Sequence, residues 1–540
     1  MELAKCDITN KGKNEQLLSF EIAGTTMKVT ALCKETGRNY VGIVLAFKHK
    51  AEVDKQAYSI PTEVRKTGKD IRLLAEVDLS KLAFRMTNWQ ILAAYEEDGK
   101  LYGVGLKAPN SSKDIYQRFV DNYSCDLGDY ILFPYYTRKG TINFRYRPRN
   151  EYDGNEIHER EKIADKNSKK LFGNKLAKQD IALIYEKKCT SAQDNGYYLF
   201  KYCMEAGVNE TGKRKVYYVV DKRTPAYQKI KEYDKYVLDF MSLEHMEHLK
   251  AAKVLISSES RLHAYAWHSK NSIIAPCVQD KKHVFLGHGI LALKKLNNTF
   301  TAESMASSLV TVSSEREADV FKEYLNYDDK ALSITGYARF DALEDKSSEY
   351  NEILVMPTHR ERLFGVEREV FVASEYYKRY MDLLNSERLH SILEKNDMKL
   401  KFYLHPSIRE QIDAYSSNSD RVEIIKYGEM PLDELMMRCK LLITDYSSIL
   451  WDVLYMKKPA IFYQYDRDEY EQSWGSYIDL DKDLPGDNAV DLDSLLDNLE
   501  KSVANNFVLE EKYNGMLDNF YKYTDRDNCK RIWEEICKLY

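Results

Sequence analysis

No stretch of this 540-residue chain reaches about 18 consecutive apolar residues, so no segment is expected to span a bilayer. The opening stretch MELAKCDITNKGKNEQ has no apolar core of the kind a secretory leader needs, and none is expected. The nine cysteines are odd in number, form no CxxC pair and show no zinc spacing. They read as reduced, buried thiols of a cytosolic protein. Neither sign of charge is in excess: 80 Lys+Arg against 85 Asp+Glu leave a net charge of -5. That balance argues against bulk nucleic acid as the main partner, since such domains carry a clear basic excess. There is no Walker loop, GxGxxG, GxSxG or HExxH motif.

What is present is apolar material for several cores, 44% of the residues. At roughly 100–200 residues per domain the length implies about three domains. Residues 1–150 alternate apolar and polar positions in short runs: 17–23, 26–32, 40–48, 71–77, 90–95 and 101–106. This is the period of half-buried strands, and Asp98-Gly99 is a hairpin signal between two of them. Gly140 is placed to turn another hairpin. A small β-sandwich or barrel is predicted, with no catalytic cluster. With 41 tyrosines against 19 phenylalanines in the chain, it offers rings for holding an acceptor, or simply for packing.

Residues 151–178 are polar and basic and read as a helical linker. Arg160, Lys162, Lys166, Lys169, Lys170, Lys175 and Lys178 stand beside Ile163, Leu171, Phe172 and Leu176, a pattern suited to an anionic membrane surface. From about Lys178 the pattern becomes β-α-β. IALIY, VYYVV, VLISS, VFLGHG, LVTVSS and LSITG form one series; ILVMPTHR, LKFYLHP, VEIIKYG, LLITDYSS and AIFYQYD form a second. Two such series predict an α/β architecture of two doubly wound parallel domains facing a cleft, over residues 179–345 and 346–540.

The polar tails of these runs fall at the carboxyl ends of strands, where ligands of open α/β sheets sit. His288 lies between Gly287 and Gly289, where small neighbours leave room for a ligand, and an imidazole titrating near neutrality suits a general base. Lys294 and Lys295 follow, placed to meet an anion. Pro357-Thr358-His359-Arg360 offers a guanidinium for bidentate phosphate contact. His405 ends another strand. In LLITDYSSILW, Ser447 and Ser448 follow Asp445 at a predicted helix start, where serine caps and free N–H groups bind phosphate. Each signal is weak alone; their order carries more.

That order resembles the CDP-glycerol:poly(glycerophosphate) glycerophosphotransferase family over roughly residues 180–490. The stretches that carry the resemblance are DNGYYLFKY (194–202), GHG with ALKK, TGYARFDAL (335–343), PTHR, HP, TDYSSILWD and FYQYDRDEY (462–470). The resemblance implies a GT-B-like pair of Rossmann-type lobes, preceded here by the small all-β domain. It implies a CDP-activated polyol phosphate as donor, held mainly by the C-terminal lobe. A hydroxyl of a lipid-linked or polymeric acceptor attacks the β-phosphorus, and CMP leaves. His288 is the implied base, Arg360 and His405 the implied phosphate contacts, and Ser447 and Ser448, beside Asp445, the implied pyrophosphate holders. Gly289, Lys294, Thr358 and Asp468 are further candidate substrate contacts. No metal and no cofactor beyond the donor is implied, and the expected location is cytoplasmic, on the inner face of the membrane. Where the family has HGTPLK this chain has Ile290 and Leu291, where it has tryptophan before the arginine this chain has His359, and its RGFY-like segment is Trp474-Gly475-Ser476-Tyr477 without the arginine. These departures leave glycerol, ribitol and other polyols open. A glycosyltransferase using a nucleotide sugar and a non-catalytic polymer-binding scaffold are the alternatives.

Overall fold

The alternation at the start of the chain folds as strands whose one face is buried. In Glu15–Ala23, Thr26–Lys34 and Asp70–Asp78, buried and exposed residues take turns, as the strand period requires. The computed structural model describes residues 3–9, 14–35, 37–47, 56–108, 124–137, 140–153, 155–170, 175–266, 272–296, 298–426 and 428–540. The chain divides into two compact units, Met1–Lys166 with Ala266–Pro276, and Asn167–Tyr265 with Cys277–Tyr540.

In the first unit the three strands above and Thr62–Thr67 form a four-stranded antiparallel sheet. A nine-stranded sheet includes Asn39–Phe47, Asn88–Glu97, Tyr130–Tyr136 and Ile142–Pro148. The hairpin expected at Asp98-Gly99 joins Asn88–Glu97 to Lys100–Gly105, and both turn residues take positive φ, 50° and 71°. Trp89 is fully buried, stacked on Tyr58 at 5.8 Å and met edge-on by Phe84 at 5.0 Å. The strands Gln56–Ile60 and Cys125–Leu127 were not expected from the sequence.

The expected linker helix is α1 (Asn155–Ser168). Ile157 and Ala164 are buried, and the Glu161 carboxylate accepts from the Ile273 N–H at 2.9 Å and from the Ser272 hydroxyl. Ile163 is exposed, as are Lys169, Lys170, Lys175 and Lys178; Leu171 and Phe172 lie outside the described residues.

The second unit holds two parallel sheets. The first comprises β1 (Asp180–Tyr185), β2 (Arg214–Val220), β3 (Val237–Asp239), β4 (Val254–Ser257), β5 (Lys282–Phe285), β6 (Leu309–Val312) and β7 (Leu332–Ile334), in the order β3-β2-β1-β4-β5-β6-β7. The second comprises β8 (Glu352–Val355), β9 (Lys399–Tyr403), β10 (Val422–Ile425), β11 (Cys439–Thr444), β12 (Ala460–Tyr463) and β13 (Asp487–Ala489), in the order β10-β9-β8-β11-β12-β13. Strands such as β4, β6 and β8 are buried along their whole length, which is why they read as continuous apolar runs. In each sheet the winding reverses after three strands, at β1/β4 and at β8/β11, and such switch points open a crevice at the carboxyl edge.

Three helices help to build that edge: α2 (Asn195–Glu205), α3 (Leu450–Tyr455) and α4 (Asn528–Cys537). The last one crosses back. Cys529, Ile532 and Ile536 of α4 are buried in the core of the first sheet, and the Asp341 carboxylate accepts the N–H groups of Asn528 and Cys529 at 3.0 and 2.7 Å. The C-terminal stretch, expected to belong wholly to the second lobe, therefore packs into the core of the first sheet.

Candidate active site

At the carboxyl edge of the first sheet, adjacent strands deliver three loops to one place. After β1, Glu186 is buried and accepts from the backbone N–H groups of Gln193, Asp194 and Tyr197 and from the Ser191 hydroxyl. That pins Asp194 as the N-cap of α2, where its side chain also accepts the Asn195 N–H. After β4 comes Glu259, and after β5 comes His288.

The His288 ring meets a carboxylate at each nitrogen. Nδ1 is 2.6 Å from Asp194 Oδ2, and Nε2 is 3.5 Å from Glu259 Oε1. The ring keeps 48% of its side-chain surface exposed. Burial disfavours the cation, but the hydrogen bond to Asp194 and the charges of Asp194 and Glu259 outweigh it and raise the imidazole to about 10. Asp194 moves the opposite way, to about 2: burial opposes its ionisation, while His288 and Arg339 favour it. The resting ring is thus a cation at neutral pH, and the expected imidazole titrating near neutrality is replaced by an imidazolium held between two anions.

The glycines around His288 answer to particular neighbours. A Cβ on Gly287 (φ 66°) would lie 2.9 Å from the Tyr337 ring. One on Gly289 (φ 146°) would lie 3.0 Å from Arg339 Nη2 and 3.7 Å from Ser448 Cβ. The second of these contacts places the loop after β5 directly against the loop after β11, which carries Ser447 and Ser448 from the other sheet.

Arg339 joins the two sides. Nε and Nη2 bond the two oxygens of Asp452 in α3, at 2.5 and 2.8 Å. Nη1 reaches Asp194 Oδ1 at 3.1 Å and the His288 carbonyl at 2.7 Å. Its backbone N–H donates to Asn195 Oδ1 at 3.0 Å, and Asn195 Nδ2 donates to the Gly287 carbonyl at 3.0 Å.

On the loops after β8 and β9, the His359 and His405 rings lie with centroids 4.3 Å apart, tilted by 32°. Burial, followed by the charges of His359, Lys294 and Lys187, drives His405 down to about 3, so its ring is neutral among cations. Lys294 Nζ sits 3.6 Å over the Trp474 ring. The Thr358 hydroxyl is buried and has no hydrogen-bond partner among the described residues.

Residues 170–538 match the family described as CDP-Glycerol:Poly(glycerophosphate) glycerophosphotransferase. The chain belongs to that family. The minor teichoic acid biosynthesis protein GgaB of Bacillus subtilis (strain 168) is 31% identical over 364 residues, 64% of this chain and 39% of that protein. The teichoic acid ribitol-phosphate polymerase TarL of Staphylococcus aureus (strain NCTC 8325 / PS 47) is 26% identical over 41% of this chain and 40% of its own length. The matched region thus spans about two fifths of these relatives. The structure of the wall teichoic acid polymerase TagF aligns with a TM-score of 0.51 at 17% identity, covering 71% of this chain and 94% of that one. At that identity the likeness is one of fold, a mixed α/β fold with parallel sheets.

Set against the glycerophosphotransferase motifs, the structure brings some of the expected residues together and gives others internal partners. Gly289, next to His288, meets Ser448, and the charge of Lys294 reaches His405. Arg360 is not the expected phosphate clamp. Only 5% of its side chain is exposed; Nε and Nη2 bond Asp466 at 2.7 and 2.9 Å, Nη1 bonds the Thr358 carbonyl at 2.6 Å, and Asp445 pairs with it at 2.9 Å. Asp445 is likewise committed: wholly buried, it accepts the N–H groups of Thr358 and Tyr446 at 2.7 Å each, and as an anion it holds these loops rather than a phosphate. The expected serine cap is absent as well. Ile449, with αR backbone, precedes α3 and no side chain caps it, while Ser447 is 9% exposed and Ser448 lies open at the surface. Asp468 is exposed in the helix Arg467–Ser473 and apart from the cluster; the carboxylate that matters there is Asp466. Asp194, Arg339 and Asp452 were missed as individual residues, although DNGYYLFKY, TGYARFDAL and TDYSSILWD contain them. Glu259 had no motif to mark it.

These pairings set two measurable outcomes. Because the folded value of His288 is raised above the ordinary imidazole value of about 6.5, the stability it lends is fully present below that pH and is lost as pH rises through about 10. Asp194→Asn should lower the ring's titration and flatten that alkaline loss, read by NMR of the imidazole and by thermal melts across pH; an unmoved titration would rule out Asp194 as the cause. Arg360→Ala should leave Asp445 and Asp466 buried and unpaired, destabilising the fold by about 3–5 kcal/mol in denaturant titration. A loss of donor affinity at unchanged stability would restore the phosphate-clamp reading.

Proposed function

We propose that the chain is a CDP-polyol phosphotransferase, with its two parallel sheets acting as the paired lobes of a GT-B-like enzyme and residues 1–150 as an appended β domain. The donor is CDP-glycerol or a related CDP-polyol. The acceptor is a hydroxyl of a teichoic-acid-like or capsule-like polymer, and the nucleotide product is CMP. One observation carries the reading: the His288 loop, with its carboxylates, and the Ser448 loop face each other within about one side chain's width, Gly289 to Ser448 being 3.7 Å on a built Cβ. An anionic diphosphate suits the Ser447, Ser448, Thr358, His359, His405 and Lys294 side; a neutral hydroxyl suits the His288 side. Phosphoryl transfer needs mostly position and charge stabilisation, and this arrangement supplies both.

His288 is the catalytic residue of the first lobe. Carried as a cation, it stabilises charge on the phosphoryl group in transit and orients the hydroxyl. The β-phosphorus gains a bond to the acceptor oxygen and loses its bond to the bridging oxygen, whose electron pair leaves with CMP. Incubation with CDP-glycerol, CDP-ribitol and UDP-sugars should release CMP from one of the first two. Release of UDP instead would make it a glycosyltransferase, and release of neither would leave a binding scaffold. His288→Ala should lower turnover about 10²–10³-fold with donor affinity nearly unchanged, whereas His405→Ala should weaken donor binding.

The basic stretch around α1 supports a second, weaker contact, with anionic lipid on the inner face of a membrane. Its lysines are exposed while Ile157 and Ala164 are spent on the protein's own core, so the attraction is chiefly electrostatic. Binding to anionic vesicles should fall with salt and with Lys169→Glu, Lys170→Glu and Lys175→Glu, at about 1 kcal/mol per charge; sedimentation that ignores both would remove the contact.

A further inference from the structure

We propose that Glu259 is a catalytic residue of this transfer, the group that takes the proton of the attacking hydroxyl beside His288. The inference rests on the phosphotransfer reading above and extends it to the fate of that proton.

The placement comes from strand order. β4 and β5 are parallel neighbours in register, Ser257 opposite Phe285, so the residues just beyond their ends share one edge. Glu259 lies two residues past β4 and His288 three past β5. A tight turn fixes Glu259, its own N–H donating to Ser257 Oγ at 3.0 Å. The following turn is capped by Ser260. The side chain itself is left out of this scaffolding.

That freedom distinguishes Glu259 from the other buried carboxylates of the lobe. Glu186 accepts three backbone N–H groups, and Glu317 accepts those of Leu291 and Ser313 together with the Tyr337 hydroxyl. Both are tied into the fold. Among the described residues Glu259 accepts no backbone N–H. Its carboxylate faces only side chains: His288 at 3.5 Å, His263 Nδ1 at 3.7 Å, and the nearby charge of Lys187. It keeps 16% exposure at the cleft, beside a His288 ring that is half exposed.

The spacing is chemically informative. A direct bond between an imidazolium N–H and a carboxylate is about 2.7–2.9 Å. Asp194 is that close on Nδ1; Glu259, at 3.5 Å from Nε2, is not. At this separation one oxygen atom can touch both partners, accepting from Nε2–H and donating its own hydrogen to Glu259. The imidazolium has no lone pair with which to receive that proton. Glu259 does: burial favours its neutral form, but His288, His263 and Lys187 hold it below the usual carboxylate range and therefore ionised. Asp194 and Arg339 lie behind the ring, on its Nδ1 side, and compete for nothing at Nε2.

The step balances. The acceptor O–H bond breaks and its proton passes to a Glu259 oxygen. The acceptor oxygen bonds the β-phosphorus of the CDP-activated polyol phosphate. The bond from that phosphorus to the bridging oxygen breaks, its electron pair departs on CMP, and Glu259 returns the proton to solvent.

The test uses the full chain with CDP-glycerol or CDP-ribitol, whichever the parent turns over, and an oligo(polyol phosphate) acceptor. Glu259→Gln, which keeps the shape and loses the base, should lower acceptor-dependent CMP release about 10²–10⁴-fold. Its affinity for CMP by calorimetry should stay within about two-fold, which also reports an intact donor lobe. Glu259→Ala should regain part of the lost rate when formate is added, and Glu259→Asp should keep more activity than Gln. Retention of more than about a tenth of parental turnover by Glu259→Gln overturns the inference. A formate-insensitive Glu259→Ala that melts at the parental temperature overturns it as well. A parent that releases no CMP from any CDP-polyol overturns the phosphotransfer reading itself, and this inference with it.

Discussion

One guanidinium determines how the two parallel sheets present their loops to each other. Arg339 bonds Asp452 with two N–H groups and Asp194 and the His288 carbonyl with a third nitrogen. A planar fork with fixed donor directions sets angles as well as distances, which a lysine could not do. Burying such a charge is costly unless its donors are matched, and here two carboxylates and a carbonyl take four of its five N–H groups. The arrangement makes the cleft's width a consequence of bond lengths. With Asp452 in α3 and Asp194 at the start of α2, the loops that must cooperate are held by the same ion. Gly289 is the corollary, since a side chain there would strike Arg339.

The charges around this tie act on two histidines. On the first sheet's edge, Asp194 and Glu259 surround one histidine and make it cationic. On the second, burial together with the charges of His359, Lys294 and Lys187 keeps His405 neutral. The same side chain is thereby set to two opposite states by its neighbours.

Much of the architecture was legible because single strands announce themselves locally. Alternation marked Thr26–Lys34 and Asp70–Asp78, Asp98-Gly99 marked its hairpin, and the apolar runs marked the parallel strands, each feature complete within a few residues. Site residues were legible when their neighbours in sequence were also their constraint, as with His288 between two glycines. They were not when the partner was distant. Arg339 lies 113 residues from Asp452, and Arg360 lies 106 from Asp466. An arginine at a strand end suggests a phosphate for it to hold, whereas folding supplied two aspartates. The serine pair failed for a different reason: Ile449 continues the backbone into αR, so the helix begins without using either hydroxyl.

The uncapped start of α3 bears on how the site works. A serine engaged as a cap has spent its hydroxyl on the backbone, and Arg360 engaged with Asp445 and Asp466 has spent its donors on carboxylates. Among the described residues the second sheet leaves the Thr358 hydroxyl buried without a hydrogen-bond partner, next to the His359–His405 pair, with Ser447 and Ser448 free of the cap. Arg360 acts one layer below them: through the Thr358 carbonyl and Asp445 it fixes the loops after β8 and β11 together. The stacked Tyr446 and Tyr470 rings, 3.5 Å apart, close the layer from the other side, with the Arg360 guanidinium 5.2 Å from the Tyr446 centroid. Hydroxyls carried on loops tied in this way keep their positions without reorganising.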